Sequence, residues 1–148
     1  MKKFVLLFTC MFITVFVFAQ TNFQELTLAK ALEKAKIENK YVFVDCYTSW
    51  CGPCKMMAAD ILPLKEVGEY MNATFVSVKF DMEKGEGRDI QQKYKVSSYP
   101  TFLVLNVDGS LLHAVVGASA TGEEFVARVK EAFDDNSAGK LAVEYEKG

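Results

Sequence analysis

The chain predicts an α/β fold, a central mixed β-sheet with helices on both faces. Three observations carry that reading. Stretches with strand-like alternation take turns with stretches of helical period along most of the 148 residues. The run "YVFVDCY" is apolar, β-branched and aromatic without a polar phase, as a strand covered on both faces must be. Near the end, "TFLVLNVDGSLLHAVVG" holds two strands with "DG" at the bend, a hairpin signal that adds an antiparallel pair. A chain of this length suits one domain and can bury about two-thirds of the surface it exposes unfolded.

Each element follows from local chemistry. Phe23 to Leu26 reads as a short strand. In "NFQELTLAKALEKAKIENK", Leu28, Ala31, Leu32 and Ala35 share one helical face, with Thr27 as N-cap and Asn39 as the stop. After "YVFVDCY", a helix runs from Cys51 to about Leu62, because "CKMMAADIL" is rich in helix formers and Pro63 breaks it. A short helix from Lys65 to Met71 follows, then a strand in "ATFVSVKFD" and a helix from about Arg88 to Tyr94. The hairpin comes next, and "TGEEFVARVKEAF" closes the domain with Thr121 as N-cap and Glu124 completing a capping box. With the two helices on either side of Pro63 taken as one helical unit, the order is β-α-β-α-β-α-β-β-α.

The ends differ in kind from the middle. Lys2 and Lys3 precede an apolar run from Phe4 to Phe18, and small residues end it at Ala19, which reads as a secretory signal cleaved after Ala19. Membrane anchoring by an uncleaved segment is the alternative, although the run is shorter than the roughly 20 apolar residues that span a bilayer. Lipid attachment at Cys10 is disfavoured because Phe8 is bulky where small residues are required. The predicted organisation is a signal over 1–19, a domain over 20–136 and a polar, partly helical tail over 137–148. A net charge of -2, from 17 basic and 19 acidic residues, provides no single-sign field for nucleic acid. Without Cys10, three cysteines remain, an odd number that argues against a disulfide-stapled scaffold.

The chemistry concentrates in "SWCGPCKMM". Following a strand and opening a helix, Cys51 sits where unpaired N–H groups and the helix dipole favour negative charge, so it is the expected nucleophile. Cys54, one turn further in, is expected to be more buried and to resolve a mixed disulfide. Gly52 relieves crowding at the bend and Pro53 suits the first turn. Asp45, a carboxylate within an apolar strand, should have a raised pKa and could exchange a proton with Cys54 through water. A satisfied structural Asp is the plainer reading of the same residue.

With these residues in place, the sequence resembles the thioredoxin family over roughly Phe23 to Phe133. Trp50-Cys51-Gly52-Pro53-Cys54 reproduces that family's active-site motif, Asp45 falls on its buried acid, and Pro100 in "SSYPT" on its cis-proline. The resemblance implies a thioredoxin-like fold and a redox-active Cys51–Cys54 disulfide with no other cofactor and no metal. It also implies a substrate surface of Trp50, Gly52, Pro53, Tyr99 and Pro100, and a pKa-tuning role for Lys79. Pro63 comes later after Cys54 than the kink proline of cytosolic thioredoxins, and "ILPLKEVGEYMNATFVSVKFD" is more similar to exported thioredoxin-like domains. The long insert of cytochrome c maturation thioredoxins is missing.

Two functions from different classes fit these residues. The first is a monomeric, exported thiol:disulfide oxidoreductase of the reductase type, acting on disulfide-containing proteins and fed by a membrane or periplasmic dithiol donor. The second is a binding module, either a docking surface or a copper(I) site on the two thiolates. Zinc wants four ligands, and Cys46 and His113 lack ligand spacing. Cys46 reads as a small core hydrophobe, Thr101 as a fold residue, Met56 and Met57 as helix fillers, and His113 as ordinary surface.

Overall fold

The β-strands form one four-stranded sheet in the order β2-β1-β3-β4, in a computed structural model that describes residues 19–134. All of the proposed signal over 1–19 except Ala19, Cys10 included, and the whole proposed tail over 137–148 lie outside the described residues. Strand β1 (Tyr41–Tyr47) pairs in parallel with β2 (Phe75–Asp81) and antiparallel with β3 (Thr101–Leu105), which pairs antiparallel with β4 (Leu111–Val116). This is the mixed sheet that the sequence predicts.

Side chains alternate across β1 as the two-residue strand period requires. Val42, Val44 and Cys46 join the core beneath α1 (Leu28–Glu38) and α4 (Glu86–Tyr94), which contribute Leu28, Ala31, Ala35, Ile90 and Tyr94. Phe43 points the other way, into a core with Phe75, Phe102 and Phe125. That second core is covered by α2 (Gly52–Met56) with its continuation, α3 (Lys65–Thr74) and α5 (Gly122–Lys130). Both faces of the sheet are therefore helix-covered. Among the described residues no helix is long and apolar enough to cross a membrane.

The helix ends follow the predicted chemistry. Thr27 Oγ1 accepts from Lys30 N at 3.3 Å, and Asn39 ends α1 in the left-handed conformation with φ of 53°. Thr121 Oγ1 accepts from Glu124 N at 3.1 Å. The return bond of the capping box is displaced by one residue, since Glu124 Oε2 accepts from Ala120 N at 2.9 Å. At the hairpin, Gly109 takes a φ of 82°, which a side chain would resist, and Asp108 accepts from Ser110 N at 2.9 Å.

Four boundaries differ from expectation for physical reasons. Helix α3 runs past the expected Met71 to Thr74, where Phe75 turns extended to open β2. Phe23 forms a single parallel bridge to Ser77 instead of a strand, because Leu26 N turns back to Gln24 O at 3.0 Å on its way to the N-cap. The predicted 51–62 helix changes pitch. Its α-helical part is followed by a π-helical turn, Met57–Ile61, with Leu62 N donating to Met57 O at 2.9 Å before Pro63 ends it. Helix α4 begins two residues earlier than the Arg88 expected, after Gly85 with φ of 48°. His113 is buried at 9% exposure, against its reading as surface, because α5 and the Glu131–Phe133 turn pack over the hairpin.

Candidate active site

Strand β1 delivers Asp45 to the sheet's end and, through Thr48 to Trp50, leads directly into α2. Cys51 is the N-cap of α2, and its Sγ accepts from Cys54 N at 3.1 Å. Pro53 lies in the first turn, where its missing N–H costs nothing. The two cysteines form a disulfide with their Cα atoms 5.3 Å apart. Gly52 and Pro53 between them are exposed.

Both sulfur-bearing residues are nearly covered, Cys51 at 3% exposure and Cys54 at 7%. The expectation that Cys54 is the more buried does not hold. With the disulfide closed both are covered almost equally, so burial does not distinguish them. Their positions on the helix do, since Cys51 caps it and Cys54 lies within it.

Asp45 is buried at 7% exposure, and its Oδ1 has no hydrogen-bond partner among the described residues. Burial pushes its carboxyl up to about 7, against the opposing pull of Lys79. Lys79 is its register partner on β2, with an exposed side chain whose Nζ lies 5.8 Å from the Phe23 ring centre. Asp45, Cys54 and Lys79 together line a cleft of about 220 Å³ that also touches Thr48, Ser49 and Ala58. An orphaned carboxylate oxygen, a cysteine and a cation are thereby placed where water can join them.

Beside the disulfide lies an aromatic rim. Trp50 is 64% exposed and meets the Tyr99 ring edge-on at 5.9 Å between centroids. The Tyr99-Pro100 bond is cis, and Pro100 O accepts from Gly117 N at 2.8 Å. Two residues that sequence reading missed hold this rim. Glu83 Oε1 accepts from Trp50 Nε1 at 3.0 Å, and Gln91 Nε2 donates to Tyr99 Oη at 2.6 Å. Glu83 lies 33 residues beyond Trp50 and Gln91 eight residues before Tyr99, on a different element, and no local pattern marks either.

The remaining singled-out residues are structural. Cys46 is fully buried, and burial, reinforced by Asp45, pushes its thiol far above the ordinary range. Thr101 Oγ1 donates to Ser98 O at 2.8 Å, tying the loop to the strand. Met57 fills the core and its sulfur accepts from Ser119 N at 3.3 Å.

Comparison with known proteins adds to this geometry. Residues 28–133 match the family model described as a thioredoxin-like domain. Mitochondrial thioredoxin-3 of Saccharomyces cerevisiae is 34% identical over 104 residues, which is 70% of this chain and 76% of that protein. Thioredoxin-1 of the same organism is 36% identical over 109 residues, 74% of this chain and 93% of that one. Among solved structures, a candidate disulphide-isomerase from Bacteroides thetaiotaomicron superposes with a TM-score of 0.71 at 40% identity, covering 79% of this chain and 96% of its own. With its Cys51–Cys54 pair at the start of α2, the chain belongs to the thioredoxin family and is a thioredoxin-fold disulfide oxidoreductase.

Proposed function

We propose that this protein is an exported, monomeric protein-disulfide reductase. The observation that carries the reading is the Cys51-Gly52-Pro53-Cys54 disulfide at the N-terminus of α2, with Asp45 in the cleft behind Cys54. In the reduced protein the Cys51 thiolate attacks a substrate disulfide, forming a mixed disulfide and releasing one substrate thiolate. Cys54 gives its proton through water to the Asp45 carboxylate and attacks the Cys51 sulfur. The Cys51–Cys54 bond forms, the second substrate sulfur leaves, and the substrate has gained two electrons. Lys79 tempers the rise in the Asp45 pKa, so that the carboxylate remains available near neutral pH.

Trp50, Tyr99 and Pro100 form the surface that receives the extended substrate segment, and exposed Gly52 and Pro53 let it approach the disulfide. A dithiol donor, membrane-bound or periplasmic, returns electrons to the oxidised pair. The signal-like first nineteen residues support export, and the cleavage point predicts Gln20 as the first residue of the mature protein.

The solved relative's name makes isomerase the second reading. Gly-Pro between the cysteines favours reductase, since strongly oxidising and isomerising relatives usually carry His before the second Cys. Equilibration of the purified domain in thiol/disulfide buffers separates the two. A potential near the roughly -270 mV of thioredoxin supports the reductase, one near about -180 mV the isomerase, and one near about -120 mV makes the protein an oxidant.

A further inference from the structure

Asp45 borders two clefts. Besides the one it shares with Cys54, it lines a cleft of about 310 Å³ on the side of the N-terminal segment, with Thr21, Phe23, Leu62, Pro63 and Lys79. Asp45, Ala58 and Lys79 line both clefts, and Ala58 contributes only a small side chain to the boundary they share. Thr21 is 7% exposed, and its Oγ1, like Asp45 Oδ1, has no hydrogen-bond partner among the described residues.

A buried hydroxyl without a partner costs stability unless water reaches it, and this cleft has room for several water molecules. The wall that carries Thr21 is held firmly. Thr21 N donates to Leu62 O at 3.1 Å, and Asn72 bonds both flanking residues, accepting from Asn22 N at 2.8 Å and donating to Gln20 O at 2.9 Å. Gly68 admits the segment closely, since a Cβ there would lie 2.5 Å from the Gln20 carbonyl carbon.

We propose that Asp45 exchanges its proton with solvent through this second cleft, and that Thr21 is a positioning residue for the water that carries it. The inference rests on the proton-storing role proposed for Asp45. Resolution of the mixed disulfide moves the Cys54 proton onto the Asp45 carboxylate while the Cys51–substrate bond breaks and the substrate leaves as thiolate. A protein docked on the Trp50–Tyr99 rim covers the Cys54 side, and the protonated Asp45 then needs another way to return its proton to solvent. The Thr21 hydroxyl can accept one hydrogen bond and donate another, which keeps a water chain continuous. The charged or titratable groups around Asp45 are Lys79 on β2, Cys54 and Lys55 on α2, and Cys46 and Tyr47 on β1. Of these, Lys79 also lines the Thr21 cleft, its Nζ 5.8 Å from the Phe23 ring centre, so the Thr21 hydroxyl shares that cleft with a single cation from this set.

The test is single-turnover reduction of insulin by the full domain, followed by Trp50 fluorescence, Trp50 being the sole tryptophan. Thr21→Val keeps the shape and removes the hydroxyl, and Thr21→Ser keeps the hydroxyl. Thr21→Val is expected to slow resolution about three- to ten-fold and to enlarge its solvent isotope effect, with attack by Cys51 and the thermal midpoint unchanged. Thr21→Ser should resolve as the parent does. The inference is overturned if Thr21→Val resolves at the parental rate, or if both variants slow equally, which would mean packing. If the parent protein reduces no insulin at all, the redox reading itself falls.

Discussion

Helices α2 and α5 begin with the same capping hydrogen bond and are put to different uses. At α5 the Thr121 oxygen accepts from the N–H three residues on, at 3.1 Å, and at α2 the Cys51 sulfur does the same at 3.1 Å. The first turn of α5 then carries Glu123 and Glu124, which satisfy the helix dipole, whereas the first turn of α2 holds no acidic residue. A cap that is fully compensated only stabilises its helix. One left uncompensated, with sulfur in place of oxygen, keeps a positive field for a thiolate to occupy. The active site is thus an ordinary capping position from which the neutralising carboxylates have been withheld.

The largest break in the comparison comes from making the two caps alike. Cys51→Ser exchanges the sulfur for a capping oxygen, so α2 should persist while turnover of a protein disulfide falls by at least about a thousand-fold. Circular dichroism and an insulin reduction assay check both halves, and loss of the helix would show that sulfur is needed for the cap. Asp45→Asn acts next. Because burial raises the Asp45 pKa from 3.8 to about 7, the folded state binds more protons than the unfolded one between those values. Stability therefore falls as pH rises through that window. Removing the charge should stabilise the oxidised domain by on the order of 4 kcal/mol at pH 8 and by nothing below about pH 3.5. Denaturation midpoints across pH test it, and a gain independent of pH would assign the effect to something other than ionisation.

The capping contrast also shows what a reader of the sequence could reach. Thr27, Asn39 and Thr121 were legible as helix ends because capping depends on residues within a turn of each other. Asp45 and the Cys pair were legible because a carboxylate in an apolar strand and thiols at a helix start are chemically conspicuous. Glu83 and Gln91 were not, since their partners Trp50 and Tyr99 lie 33 and 8 residues away, across folds of the chain that no local period encodes. His113 was misplaced for the same reason. The hairpin was visible, but the packing of α5 over it is tertiary. The π-helical turn that follows α2 likewise answers to how Met57, Ile61 and Leu62 enter the core, not to helix propensity.

A smaller effect is expected at the structural cap. Thr121→Ala removes the oxygen that holds Glu124 N and should cost about 1 kcal/mol of stability. The redox rate should not change, because α5 contributes no residue to the cleft that Cys54 shares with Asp45. Equal losses in stability and rate would mean that the two helix starts are coupled through the core around Phe125.

The finest test gives α2 what α5 already has. Gly52 is the first residue of α2, is exposed, and a Cβ built on it meets nothing within 4 Å, so Gly52→Glu introduces a first-turn carboxylate without a clash. A charge at that position interacts with the helix terminus by about 0.3–1 kcal/mol. The same carboxylate that steadies the helix should raise the Cys51 thiol pKa by repelling its thiolate. At neutral pH the reactive fraction should drop about two- to five-fold, with alkylation of the reduced protein slowed in proportion and its pH profile shifted upward. Gly52→Gln separates charge from bulk, because it should leave the profile where it was. If both variants slow alkylation alike, the missing acid at α2 is a matter of space for the approaching substrate, and the electrostatic contrast between the two caps does not hold.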